Sequence, residues 1–126
     1  MVTTIRPAAT KYVVVNARTS APIAARLEVL RATGRRLFRL LGQRTLRGGE
    51  GIRYLLDGDP LHVQLRRAAV DVAFLDRDGT VLHALHSLPS FQPGEVHSVI
   101  ELPAGTLDRL ETRPGDVLAM YRTEEA

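Results

Sequence analysis

Residues 70–86 read VDVAFLDRDGTVLHALH, and this stretch decides the fold class of the chain. Val70 to Leu75 is an apolar run rich in β-branched and aromatic residues, which predicts a buried strand. The Asp78-Gly79 pair that follows is a strong signal for a two-stranded hairpin. Val81 to His86 then predicts the returning antiparallel strand.

Similar short segments lie on both sides of this hairpin. Turn signals separate them, including Pro114-Gly115, which are placed as a type II turn requires. We predict further strands at residues 11–16, 23–30, 52–56, 61–67, 97–102 and 117–121. About eight short strands therefore predict an all-β fold, a compact sandwich or barrel of jelly-roll type.

Two short helices complete the predicted elements. Residues 33–41 carry a stripe of leucines at helical spacing, with Thr33 as the N-cap and Gly42 as the glycine that ends the helix. Residues 106–110 predict a helix of one or two turns.

The chain has 126 residues, which is the size of one domain. We predict a flexible N-terminus over residues 1–10, a single β domain over 11–122 and a flexible tail over 123–126. The absence of cysteine excludes disulfides and thiolate metal sites, and no apolar stretch is long enough to span a membrane. The first residues lack the apolar segment of an export signal, so we expect a cytoplasmic protein.

Charge is distributed unevenly along the chain. The net charge is +3, but most of the basic residues lie before residue 54 and most of the acidic residues after it. Arg35, Arg36 and Arg39 fall mostly off the leucine stripe of the first predicted helix, and they are candidates for a basic surface. The alternatives are a solvated helix face and a docking surface for an acidic protein or polyanion. Nucleic acid is not expected as a partner, because no base-reading motif is present.

Asp71 interrupts the most apolar predicted strand. A buried carboxylate must be hydrogen-bonded or paired, because its desolvation otherwise costs several kcal/mol (~3–5). Asp71 could accept backbone N–H groups or pair with an arginine such as Arg67. The functional alternative is a general base or a ligand-binding group in a cleft.

Metal and catalytic chemistry find little support in the sequence. His83 and His86 are three residues apart on one predicted strand, so their side chains fall on opposite faces. We therefore expect no metal site and no cofactor. Asp71 and Glu101 could form a carboxylate pair of the kind that glycosidases use, but such a mechanism depends on their separation.

The order of motifs resembles the family called domain of unknown function 192. Residues 70–79, VDVAFLDRDG, resemble its hairpin motif, and residues 99–106, VIELPAGT, resemble its "ELPAGT" element. Pro114-Gly115-Asp116 resembles its closing turn, and the resemblance covers roughly residues 30–118. Before the hairpin, one branch of the family has "VHTFGMRFPID", of which this chain retains only His62, Arg67 and Asp71. The resemblance implies a compact β fold and no established activity.

These observations together predict a non-enzymatic binding or accessory module for an unknown protein or small ligand. We assign no catalytic residue and leave the oligomeric state open. The alternatives are a hydrolytic enzyme that uses Asp71 with His62, and a polyanion-binding protein that uses the basic surface. The candidate ligand-binding residues are His62, Arg67, Asp71, Glu101 and Asp116.

Overall fold

The computed structural model describes residues 11–32, 37, 40–56, 70–86 and 96–123. This part of the chain is rich in strands, so the prediction of an all-β fold is confirmed. The predicted strand 61–67 lies outside the described residues, as does most of the predicted helix 33–41. The described elements are β1 (Tyr12–Asn16), β2 (Pro22–Ala32), β3 (Glu50–Leu56), β4 (Val70–Leu75), β5 (Val81–His86), β6 (Ser98–Pro103), α1 (Thr106–Arg109) and β7 (Leu118–Arg122).

The seven described strands form one sheet in the order β5-β4-β6-β3-β2-β1-β7. Neighbouring strands are antiparallel except for β2 and β3, which pair in parallel from Arg26 beside Glu50 to Ala32 beside Leu56. A parallel pair needs a crossover connection. The amide of Leu41 donates to the carbonyl of Leu37 at 3.0 Å within that connection, which is the bonding pattern of an α-helical turn.

The sheet curls into a half-barrel. Its outermost strands approach each other where Thr80 forms an isolated bridge with Val117. The amide of Val81 also donates to the carbonyl of Asp116 at 2.7 Å. The turn at the tip of the β4–β5 hairpin is therefore joined to the segment that enters β7.

Each face of the sheet carries its own apolar core. On the face that we call inner, Arg53 of β3 contacts the sulfur of Met120 of β7 at 3.1 Å. Three inter-strand spacings, roughly 14 Å, separate these strands along the sheet, so this face must be concave. The inner core contains Val14, Leu27, Ala73, Leu75, Ile100, Leu102, Leu107 and Leu118. The outer core contains Leu37, Leu41, Ile52, Tyr54, Val72, Phe74 and Val99.

Helix α1 packs at the end of the inner core where β6 ends. Gly105, in the left-handed region at φ 87°, turns the chain out of the sheet, and Leu107 is buried in the inner core. The same end of the sheet contains the start of β4. No helix in the described part of the chain has both the length and the apolar character needed to cross a membrane.

Candidate functional site

The described residues among the predicted ligand-binding set lie in three separate places. Asp71 lies on the inner face, Glu101 on the outer face and Asp116 in the turn before β7. His62 and Arg67 lie outside the described residues, and so do Arg35, Arg36 and Arg39 of the predicted basic surface. The structure therefore does not bring the three described carboxylates together.

Asp71 lies at the junction between β4 and α1 and is only 1% exposed. Its Oδ2 accepts a hydrogen bond of 2.9 Å from the amide of Leu107, in the first turn of α1. The residue before that helix, Gly105, provides no side-chain cap. Asp71, which is far from α1 in sequence, therefore serves as the hydrogen-bond acceptor for a buried amide of this helix.

Glu101 is fully buried on the outer face of β6. Its Oε2 accepts a 2.5 Å hydrogen bond from the amide of Gly42, and its Oε1 lies 3.4 Å from the hydroxyl of Tyr54. Burial raises the pKa of the Glu101 carboxyl, an effect that these hydrogen bonds and the charge of Arg44 partly offset. The same burial raises the pKa of the Tyr54 hydroxyl. Glu101 thereby fixes the turn that follows the Leu37–Leu41 helical turn.

Asp71 and Glu101 cannot act as a carboxylate pair. Asp71 pairs with Leu102 across β4 and β6, whereas Glu101 pairs with Val72. Residues that pair across strands share a face, so the two side chains point to opposite faces of the sheet. The glycosidase-like alternative is therefore wrong for these two residues.

Asp116 joins the turn before β7 to the end of β1. Its carboxylate accepts from the Arg18 guanidinium at 2.7 and 3.0 Å and from the side-chain amide of Asn16 at 2.9 Å. The backbone amide of Arg113 donates a fourth hydrogen bond of 3.0 Å. The Arg18 contact is the main reason that the pKa of Asp116 lies well below its ordinary value. These contacts occupy both carboxylate oxygens with structural partners.

The described residues contain no group of three or more histidine, aspartate or glutamate side chains arranged to hold a metal ion. In β5 the strand pairing sets His83 opposite Phe74, and the two rings meet edge to face at 6.5 Å. His83 therefore packs beside an aromatic residue of the outer core.

A cleft of about 220 Å³ lies at the start of the parallel pair β2–β3. Its apolar lining includes Leu27, Leu46 and Ile52. Its charged lining residues are Lys11, Arg26, Glu28, Arg44 and Glu50. None of these side chains is a predicted site residue. The available signal was the alternation of Arg26, Glu28 and Leu30 with apolar residues in β2, which places charges along one face.

Arg44 and Glu28, which both line the cleft, neutralise each other. Arg44 Nη1 lies 2.7 Å from Glu28 Oε2, and this ion pair ties the segment between β2 and β3 to the sheet. Glu50 Oε1 accepts from the amide of Arg47 at 2.7 Å. Arg26 is exposed, and no ion pair involves it within the described residues.

Comparison with known proteins identifies the family. A family model described as DUF192, Uncharacterized ACR, matches residues 13–120. The chain belongs to the DUF192 family. The resemblance predicted from the hairpin and from the ELPAGT element is thus confirmed. DUF192 has no assigned activity, and a search of curated proteins finds no match to this chain.

Two solved structures share the fold of this DUF192 chain. One is described as a putative transcription regulator from Sinorhizobium meliloti 1021; it has a TM-score of 0.68 at 22% identity, with 88% of this chain and 92% of that chain covered. The other is a protein of unknown function from Novosphingobium aromaticivorans DSM 12444, with a TM-score of 0.65 at 20% identity and 86% and 83% covered. At these identities the likeness shows the fold alone.

Proposed function

We propose that this DUF192 protein is a non-enzymatic binding module whose cleft at the start of β2 and β3 accepts an acidic side chain of a partner protein. The size of the cleft favours a protein partner over a small molecule. Small-molecule pockets usually span ~300–1,000 Å³, whereas this cleft holds about 220 Å³. A space of that size suits one or two side chains.

The charge around the cleft supports an acidic occupant, and it is the observation that carries the proposal. Arg26, Arg44, Glu28 and Glu50 are among the charged residues that line the space, and no ion pair involves Arg26 within the described residues. Since Glu28 is paired with Arg44, and Glu50 accepts a backbone amide, Arg26 is the cation best placed to receive a partner's carboxylate. Leu27, Leu46 and Ile52 would contact the apolar part of the same side chain or its neighbour.

The alternatives from the sequence gain no specific support. Asp71 is buried and holds a helix amide, and His62 lies outside the described residues, so the hydrolase remains a prediction without a described site. The polyanion-binding surface at Arg35, Arg36 and Arg39 likewise remains a prediction. The description of the Sinorhizobium meliloti structure as a putative transcription regulator concerns that protein alone. The cytoplasmic location of this chain stays a prediction.

NMR titration with synthetic peptides tests the proposal. The probes are hexapeptides in which one aspartate is flanked by leucines, and the matched control replaces the aspartate with asparagine. We expect chemical-shift changes confined to residues such as Arg26, Leu46 and Gly51, with the aspartate peptides binding at least about fivefold more tightly. Equal binding of both peptide sets, or shifts elsewhere on the protein, would refute an acidic side chain in this cleft.

Substitutions provide the second arm of the test. Arg26→Ala removes the cation that is proposed to receive the carboxylate, and we expect it to abolish the preference for aspartate. Arg77→Ala is the matched control, because Arg77 is an exposed arginine in the β4–β5 turn and does not line the cleft. An equal loss of binding in both variants would mean that only overall charge matters.

A further inference from the structure

Arg53 is a cation on the inner face of the sheet, on the side opposite the outer-core residues of β3. Its Nε donates to the hydroxyl of Ser98 at 3.0 Å, and its Nη1 contacts the sulfur of Met120 at 3.1 Å. Ser98 is fully buried. These contacts hold the guanidinium across the concave face, between β6 and β7.

No carboxylate of the described residues balances the charge of Arg53. Both of its contacts are to neutral groups, and no ion pair involves it within the described residues. Burial lowers the pKa of the guanidinium, which reflects the energetic cost of holding a charge there. Buried charges are normally paired because desolvation is costly. Arg53 is thus a half-buried cation for which the described residues provide no counter-ion.

The remaining N–H groups of Arg53 are available to a ligand. A guanidinium carries five donors, and the two contacts above use one on Nε and one on Nη1. Among the fully buried side-chain nitrogen and oxygen atoms of the described residues, His97 Nδ1 alone lacks a partner. Arg53 Nη2 is not one of these atoms, and no hydrogen bond involves it within the described residues, so Nη2 is accessible to solvent. It lies beside Nη1 and Nε in the planar guanidinium, whose fork of donors suits a bidentate contact with a planar oxyanion.

Two more arginines share the inner face at this end of the sheet. Arg31 pairs in register with Leu55, which lies two residues beyond Arg53 on β3. Arg122 lies two residues beyond Met120 on β7 and hence on the same face. Asp71 is the acidic residue of the described inner-face strand positions, and it lies at the α1 end. We call the end of the inner face that holds Arg31, Arg53 and Arg122 the arginine end.

Apolar groups adjoin the guanidinium. Val29 pairs in register with Arg53 and packs against the inner core, as does Met120. Leu55 lies one step further along the same face of β3. A ligand held by Arg53 would place its anionic group on the guanidinium and an adjoining apolar group against these side chains.

We propose that the arginine end is a binding site for the carboxylate of a small organic acid, with Arg53 as the bidentate anchor. A carboxylate matches the paired free donors of Arg53 and supplies the single negative charge that its guanidinium lacks. The apolar neighbours favour an acid with a short hydrocarbon body. This site lies on the inner face and is independent of the partner-binding cleft.

Titration with defined anions tests the site. The probes are butyrate, phenylacetate and inorganic phosphate, each followed by NMR at the Arg53 side-chain Nε–H and by calorimetry at constant ionic strength. We expect saturable shifts at Arg53, Ser98 and Met120 with both carboxylates. Binding of phosphate without binding of either carboxylate would overturn the assignment, and so would the absence of any saturable shift.

Two variants separate the guanidinium from general charge. Arg53→Lys keeps the charge but loses the bidentate geometry, and we expect affinity for butyrate to fall about tenfold or more. Arg53→Met removes the charge from a half-buried position, and we expect binding to be lost. Arg109→Ala is the matched control, because Arg109 is an exposed arginine in α1 at the other end of the inner face.

The variants also expose a purely structural role for Arg53. Should Arg53→Met fail to fold, Arg53→Lys and the wild-type shifts still decide the question. If Arg53→Lys binds butyrate with wild-type affinity, bidentate binding is refuted. The role of the guanidinium would then be only to contact Ser98 and Met120 across the concave face.

Discussion

Gly79 and Leu118 are joined backbone to backbone where the curled sheet meets itself. The amide of Leu118 donates to the carbonyl of Gly79 at 2.9 Å. A Cβ built on Gly79 would lie 2.8 Å from the carbonyl oxygen of Leu118. The glycine of the β4–β5 turn is therefore required both by the turn and by the strand that approaches it.

Gly79→Ala should lower the free energy of unfolding by about 2–4 kcal/mol. The new methyl group would collide with the backbone of β7, and Gly79 has a φ of 85°, which disfavours any L side chain. Urea denaturation measures the loss. Gly115→Ala is the control, because Gly115 has a φ of 95° but no atom within 4 Å of an added Cβ. Its cost should be about 1–2 kcal/mol, and equal costs would show that the contact with Leu118 contributes nothing.

Asp71→Ala should release α1 from the sheet. The substitution leaves the buried amide of Leu107 without its side-chain acceptor, which costs about 1–3 kcal/mol. Hydrogen exchange at the Leu107 amide should accelerate more than exchange at the β1 and β7 amides. Asp71→Asn retains an oxygen acceptor and should preserve most of the protection. Unchanged exchange at Leu107 in Asp71→Ala would contradict the capping role.

Asp116→Asn should remove part of the acid sensitivity of the fold. The folded-state pKa of Asp116 is lowered, mainly by Arg18, so its carboxylate stabilises the fold at pH values above the ordinary value of 3.8. That contribution is lost as the pH falls below that value. Chemical denaturation of both proteins between pH 7 and pH 2.5 measures the difference. The wild-type advantage should be constant above about pH 5 and shrink below it, whereas a gap that widens in acid would contradict the prediction.

Glu101→Gln should have the opposite pH dependence. Because burial raises the folded-state pKa of Glu101, its contribution to stability is complete below the ordinary value of 4.5 and is lost as the pH rises through the raised value. The stability of the wild type relative to Glu101→Gln should therefore decrease from pH 4 to pH 8. Denaturation at several pH values within that range provides the test. A relative stability that rises with pH would mean that the Gly42 and Tyr54 hydrogen bonds outweigh burial.

The turns were the most predictable part of the fold. Asp76 Oδ1 accepts from the amides of Asp78 and Thr80 at 2.9 Å, as expected for an aspartate that opens a tight turn. Gly115 has the positive φ that the predicted type II turn requires. Gly42, predicted as the glycine that ends the first helix, has a φ of 79°. Such features depend on neighbours in sequence, so local chemistry reveals them.

The parallel pairing of β2 with β3 was not predicted. Whether two strands run parallel depends on the path of the connection between them, and alternation of apolar residues carries no record of it. Both strands are also longer than predicted, since β2 extends to Ala32 and β3 begins at Glu50. Hydrogen bonding between β2 and β3 continues into residues whose own sequence pattern does not predict a strand.

The sequence indicated which polar residues are unusual but not what they do. Asp71 is notable because it interrupts an apolar run, and acceptance of backbone N–H groups is one of its three predicted roles. Its acceptor role for Leu107 depends on a helix 36 positions away along the chain. Arg53 is not a predicted site residue, because an arginine beside Tyr54 in a short strand is unremarkable until the curl of the sheet brings Met120 of β7 into contact with it.

The pairing of β1 with β7 sets the order in which the protein can be completed during synthesis. Tyr12 lies beside Arg122 and Asn16 beside Leu118, so one edge of β1 has no partner until β7 has left the ribosome. Pairing over such a separation is slow, and an unpaired strand edge invites association with other chains. We therefore expect the nascent β1–β2 hairpin to be the segment that most needs chaperone protection.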